Sequence, residues 1–122
     1  MKEINLVMQP YGSSLCGQAC VATIAGITLE ESVEAFGGTK AGTRTKQVVE
    51  ALRKLGINCG DRLIRIKDGN KPDCCIVKQY FDNCDWTHWV VYYNGCYFDP
   101  GIGVYKKYVE GMRETSYLPI YL

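Results

Sequence analysis

Cys16, His88 and Asp99 have the side chains and the setting for nucleophilic acyl chemistry. Cys16 ends a turn-rich stretch, Gln9-Pro-Tyr-Gly-Ser-Ser-Leu-Cys16, and leads into the apolar run Ala19 to Ala25, which reads as a buried helix. A thiol in the first turn of a helix lies beside unpaired N–H groups and the positive end of the macrodipole, and both favour the thiolate. Such a thiol needs a base. The single histidine of the chain, His88, sits in Thr87-His-Trp-Val-Val-Tyr-Tyr93, with Asp99 a short way on.

Asn94-Gly95 between His88 and Asp99 is the strongest short hairpin signal in a sequence. A two-residue turn there sets Tyr93 against Cys96, Tyr92 against Tyr97 and Val90 against Asp99. Alternation then puts His88, Val90, Tyr92, Tyr97 and Asp99 on one face. His88 and Asp99 become diagonal neighbours with Cβ atoms roughly 7 Å apart, within hydrogen-bonding reach of their side chains. The carboxylate would fix the ring tautomer and support the imidazolium, as the third member of a triad does. The opposite face carries Trp89, Val91 and Phe98, suited to packing on helices or lining a groove, as Trp86 and the nearby tyrosines also are.

The elements that must hold these groups divide into two halves. Residues 4–8 are a short extended segment, and the helix of Cys16 is apolar on nearly every side until Gly26 ends it. Thr28 with Glu31 forms a capping-box pattern before Leu29, Val33 and Phe36, and Gly37-Gly38 supplies a left-handed stop. Thr43 or Thr45 caps a third helix with Val48, Leu52 and Leu55 on one stripe, Arg53 and Lys54 in its last turn and Gly56 after it. Beyond Gly56 the period changes to that of strands: 61–67, 74–80, the hairpin, and a tail from Ser116 to Leu122. Pro119 places that tail at a sheet edge. Residues 104–113 read equally as strand or helix. The predicted class is α+β, with N-terminal helices on a C-terminal antiparallel sheet, and residues 1–122 form one domain.

Composition narrows the function. Fourteen basic and thirteen acidic residues leave a net charge of +1, so nothing electrostatic argues for nucleic acid or an anionic membrane. No run approaches the ~20 apolar residues of a membrane span, and the first eight residues hold too short an apolar stretch for a secretory signal. Seven cysteines without framework spacing read as reduced thiols in a cytoplasmic protein.

Gln9, Cys16-Gly-x-Ala-Cys20 opening a helix, His88-Trp-Val-Val and Asp99-Pro100 together resemble the papain-like cysteine peptidases. The branch they are most similar to holds the bacteriocin leader (double-glycine) peptidases and their stand-alone bacterial and phage relatives. Gly42-Thr43 and Leu55-Gly56 extend the resemblance over most of the chain. It implies a papain-like fold with Cys16 as nucleophile, His88 as general base, Asp99 as orienting acid and Gln9 as oxyanion-hole donor. It also implies a peptide or protein substrate and no cofactor or metal. The sequence does not separate peptide hydrolysis from isopeptide cleavage, deamidation or other acyl transfer, and oligomeric state is not readable.

Other readings stay open. One is a structural zinc site of Cys74, Cys75, Cys84 and His88, whose spacing lacks the usual Cys-x2-Cys knuckle. Another is the same fold used only to bind a protein or small molecule, with the thiol idle. Cys20, one turn deeper than Cys16, is the rival thiol and reads as core packing.

Overall fold

The structure, a computed structural model, describes residues 3–81, 87–106 and 111–122. These form helices α1 (Cys16–Ala25), α2 (Leu29–Ala35) and α3 (Thr45–Lys54), followed by strands β1 (Asn58–Cys59), β2 (Ile64–Arg65), β3 (Cys74–Phe81), β4 (Thr87–Tyr93), β5 (Cys96–Asp99), β6 (Gly103–Tyr105) and β7 (Met112–Tyr121). The class is α+β, as expected. Trp86 and Cys84 lie outside the described residues, as does the middle of the ambiguous 104–113 stretch. The two ends of that stretch belong to β6 and β7.

Helix α1 is buried from Cys16 to Ile24. Its side chains Val21 and Ile24 meet Val48 and Leu52 of α3 and Ile76, Val91 and Leu118 of the sheet. Each fully buried aliphatic side chain of this kind contributes on the order of 1.5–3 kcal/mol. The polar side chains of α1 bond to neighbouring segments, although among the described residues Gln18 Oε1 is buried without a partner. Gln18 donates to the carbonyls of Thr39 and Ala41, both at 3.0 Å, and Thr23 accepts the Val7 N–H at 2.9 Å. That last bond lays the N-terminal extended segment along α1 rather than into the sheet.

Helix α2 starts as its sequence requires: Thr28 Oγ1 accepts the Glu31 N–H and Glu31 Oε1 accepts the Thr28 N–H, each at 3.1 Å. It stops at the glycine pair, where the Gly38 N–H reaches back to the Val33 carbonyl at 2.9 Å. Helix α3 departs from expectation, because neither Thr43 nor Thr45 is its cap. Arg44 is, in extended conformation, with its N–H donating to Gln47 Oε1 at 2.7 Å. Thr43 is turned toward α1 instead.

The sheet is antiparallel throughout, in the order β1-β7-β3-β4-β5-β6, with β2 also on β7. Two corrections follow. The 61–67 strand shrinks to Ile64–Arg65, both exposed, before Asp68 and Gly69 turn the chain at positive φ. The C-terminal strand is not an edge: β7 lies between β3 on one side and β1 and β2 on the other. Pro119 is tolerated because a strand residue points its N and C=O to the same side. Its carbonyl accepts the Gly60 N–H at 2.9 Å, so its nitrogen also faces the break between β1 and β2, where no ladder bond is asked of it.

The hairpin register is the one the turn demands: Tyr93 opposite Cys96, Tyr92 opposite Tyr97, Val91 opposite Phe98. The ladder ends there, and Asp99 pairs on its other side with Gly103 of β6. Trp89, Val91 and Phe98 pack toward the helices. The His88 face is closed as well, with Val90 and Asp99 at 0% exposure.

Asn94 and Gly95 have φ of 50° and 85°. Replacing both with alanine is expected to lower stability by about 2 kcal/mol, since each L-residue in that region costs roughly 1 kcal/mol or more. Urea unfolding measures it; an unchanged midpoint would mean that the turn does not set the register.

Candidate active site

Cys16 is the first residue of α1, preceded by Leu15, which makes no side-chain cap. The donors of the first turn are therefore left for the thiol and whatever it attacks. The sulfur is buried, which pushes its pKa up. A hydrogen bond from His88, the Trp89 N–H, the imidazolium charge and the Gly17 N–H together outweigh that, and the thiol ends below its ordinary value. For His88, burial favours the neutral ring, but hydrogen bonds to Asp99 and Cys16 and their negative charges raise it to about 9. Between those two titrations the stable form is a thiolate–imidazolium pair. Burial moves Cys20, Cys59, Cys74 and Cys75 the other way, Cys74 to about 11 and Cys75 to about 12.

Asp99 completes a chain of contacts. His88 Nε2 lies 2.7 Å from its Oδ1, which also accepts the Gly101 N–H at 2.9 Å. Its Oδ2 accepts the Tyr105 hydroxyl at 3.0 Å. Holding Nε2 on the carboxylate leaves Nδ1 for the sulfur. The backbone of Gln9 is fixed by its N–H to the Pro100 carbonyl at 2.9 Å, and its Nε2 donates to the Ser13 carbonyl at 2.9 Å. The other N–H of that amide has only a long contact, to Ser13 Oγ at 3.5 Å, which a better-placed acceptor could replace. A cleft of about 890 Å³ joins Gln9, Cys16, Thr43, His88, Trp89 and Ile102. The four residues singled out in the sequence therefore meet in one place, Asp99 from behind the ring.

Of the wall of this cleft, the sequence offered Trp89 as a groove-lining residue, and the close approach of Gly17 to Thr43 went unseen. A Cβ on Gly17 would stand 2.1 Å from Thr43 Oγ1 and 3.3 Å from Trp89 Cδ1, so the Cys-Gly pair is dictated by close approach. The Trp89 indole donates to the Thr43 carbonyl at 3.3 Å, and Gln18 anchors the segment before it. A buried Gln in an apolar helix is the one signal that pointed there. Gln79 and Tyr105 gave none, being ordinary strand residues by pattern.

The zinc alternative fails on distance. Cys74 pairs with Tyr93 and His88 with Gln79, five residues along β3, on the order of 17 Å. Cys84 is outside the described residues. Among the described residues no three His, Cys, Asp or Glu side chains cluster as a metal site would need.

The three helices packed on an antiparallel sheet make an α+β fold. No family model and no curated protein matches the chain. A solved structure does: the crystal structure of a double glycine motif protease from an AMS/PCAT transporter in complex with the leader peptide, with a TM-score of 0.66 and 20% identity over 96% of this chain and 92% of that one. At that identity the likeness is one of fold, and it is the fold that the resemblance in sequence implied. Among the described residues no helix is long and apolar enough to cross a membrane.

Gly17→Ala is expected to cost about 1–3 kcal/mol by overpacking against Thr43. Thr43 Oγ1 is buried without a partner, so adding Thr43→Ala should recover most of the loss. Thermal unfolding of the two single variants and the double reads the coupling; strict additivity would disprove the contact.

Proposed function

We propose that the chain is a cysteine peptidase acting through Cys16, His88 and Asp99. The observation that carries this reading is geometric: Cys16 at the start of α1 and the His88 ring line one cleft, with Asp99 Oδ1 2.7 Å behind the ring, and this setting moves the Cys16 pKa down and the His88 pKa up. The thiolate sulfur attacks the substrate carbonyl carbon, and the carbonyl π electrons move onto oxygen. That oxyanion is met by a Gln9 Nε2–H, given up from its long contact with Ser13 Oγ, and by the N–H groups that open α1. As the tetrahedral species collapses, the C–N bond breaks and the imidazolium gives its proton to the departing amine. Water, losing a proton to the neutral ring, then attacks the acyl-enzyme; sulfur leaves as thiolate and the imidazolium is restored. Asp99 keeps its proton-accepting side toward Nε2 throughout.

The substrate in this reading is a peptide, the kind of ligand seen on the protein of similar fold, which was crystallised with a leader peptide. Residues 1–122 act as one domain, in a reducing cytoplasmic setting that suits the free thiols among the described cysteines. Peptides containing a Gly-Gly pair are the first to test.

At pH 6 iodoacetamide is expected to alkylate Cys16 ahead of the other cysteines, mapped by mass spectrometry on partially labelled protein. His88→Ala should remove most of that advantage, since the helix dipole alone does less than a paired imidazolium. Asp99→Asn should remove less. Labelling of Cys20 or Cys84 first, or of Cys16 only after denaturation, would sink the peptidase reading.

Gln9→Ala separates catalysis from thiol activation. It is expected to leave alkylation of Cys16 unchanged while lowering kcat on a cleaved peptide by about a hundredfold. Unchanged turnover would remove Gln9 from the mechanism. A protein that alkylates normally and binds peptides but cleaves none would instead be the binding module of the same fold.

A further inference from the structure

We infer that Tyr105 is a positioning residue for the catalytic carboxylate, holding Asp99 in register with His88 from the neighbouring strand β6. The inference rests on the triad reading above. Asp99 is fully buried, and its Oδ1 is taken by His88 and by the Gly101 N–H. That leaves Oδ2 to one donor among the described residues, the Tyr105 hydroxyl at 3.0 Å. A buried carboxylate oxygen stripped of its donor holds charge poorly and leaves the group fixed against rotation about χ2 only by the bonds on Oδ1.

Tyr105 is itself held on three sides. Gln79 Nε2 donates to its hydroxyl oxygen at 3.4 Å, which turns the phenolic hydrogen toward Asp99. Its ring stacks on Tyr97, centroids 5.2 Å apart and planes 17° off parallel. The Tyr97 hydroxyl donates to Glu114, which pairs with Lys71 at 2.9 Å. The charged and titratable groups facing Tyr105 are therefore Asp99 from β5, Glu114 from β7 and Tyr97 from β5. Burial raises the Tyr105 phenol far above its ordinary value, aided by the charges of Asp99 and Glu114, so it remains a donor at any working pH.

Tyr105→Phe removes the hydroxyl and keeps the stacked ring. The expected result is a fall of about fivefold in the rate of Cys16 alkylation at pH 6, with the acid limb of the rate–pH profile moved to higher pH. A ring free to tilt bonds the sulfur less well, and the thiolate then protonates earlier as pH falls. A purely structural tyrosine would lower the melting temperature and leave the limb in place. A profile that superimposes on wild type overturns the inference. His88→Ala, run alongside, keeps the two claims apart. If it alkylates like wild type, the triad reading itself falls; if it is slow while Tyr105→Phe is normal, only the role of Tyr105 falls. Should Tyr105→Phe not fold, proton NMR of the wild type decides. A slowly exchanging Tyr105 hydroxyl proton is expected, and rapid exchange with water would overturn the inference.

Discussion

A helix with no exposed side has to be enclosed, and the enclosure of α1 is the constraint that arranges the rest of the molecule. From Cys16 to Ile24 every residue is buried, so the sheet must cover one flank and α2 and α3 the others. The polar groups of the helix then have no water to turn to. Ser32 of α2 donates to the Gln18 carbonyl at 2.6 Å, and the Gln18 amide reaches the chain entering α3. These bonds set where the two helices sit. They also fix the end of α1 against the start of β4, where the Trp89 N–H and the His88 ring meet the sulfur. The pairing of Cys16 with His88 is thus a product of the packing of α1, and a loosened core would separate them.

The sequence disclosed the parts of this arrangement that local rules govern. Asn94-Gly95 admits one tight turn, that turn admits one register, and the register brings His88 and Asp99 together before any tertiary contact is known. The capping box at Thr28 and the glycine stop after Phe36 are local in the same sense. Where packing between distant segments decides, the sequence was silent or misleading. Pro119 marks an edge strand only if its nitrogen would otherwise meet a partner; here it faces the interruption between Cys59 and Ile64, and the strand sits inside the sheet. Thr43 has the side chain of a helix cap, yet its hydroxyl is drawn against Gly17 and the cap passes to Arg44. Tyr105 and Gln79 become meaningful only once β3 to β6 lie side by side in one sheet.

The face of the sheet away from the helices is closed by polar side chains where apolar ones would have sufficed. Lys71 and Glu114 have side chains 8% and 2% exposed, and Lys71 Nζ also lies 4.3 Å from the centre of the Tyr92 ring. A pair so buried gains little net stability, because desolvation offsets most of the attraction. Its consequence is order: a neutralised Glu114 can accept the Tyr97 hydroxyl, and Tyr97 then offers Tyr105 a fixed surface to stack on.

Charge balance on that face bears on the state of His88. Two carboxylates, Asp99 and Glu114, are held on it by adjacent stacked tyrosines, and each tyrosine gives its hydroxyl to a different one. Glu114 has Lys71 as counter-ion. Among the described residues Asp99 has no Lys or Arg partner, only the imidazole at 2.7 Å. A fully buried carboxylate without a permanent cation is stabilised most by charging the one group beside it that can accept a proton. The raised pKa of His88, about 9, is that demand expressed on the ring. The imidazolium in turn stabilises the thiolate on its other side, so the ionisation of Cys16 depends on a residue it does not touch. Had Lys71 been placed on Asp99 instead, the carboxylate would be neutralised without the ring, and the upward pull on the His88 pKa that helps lower that of Cys16 would weaken.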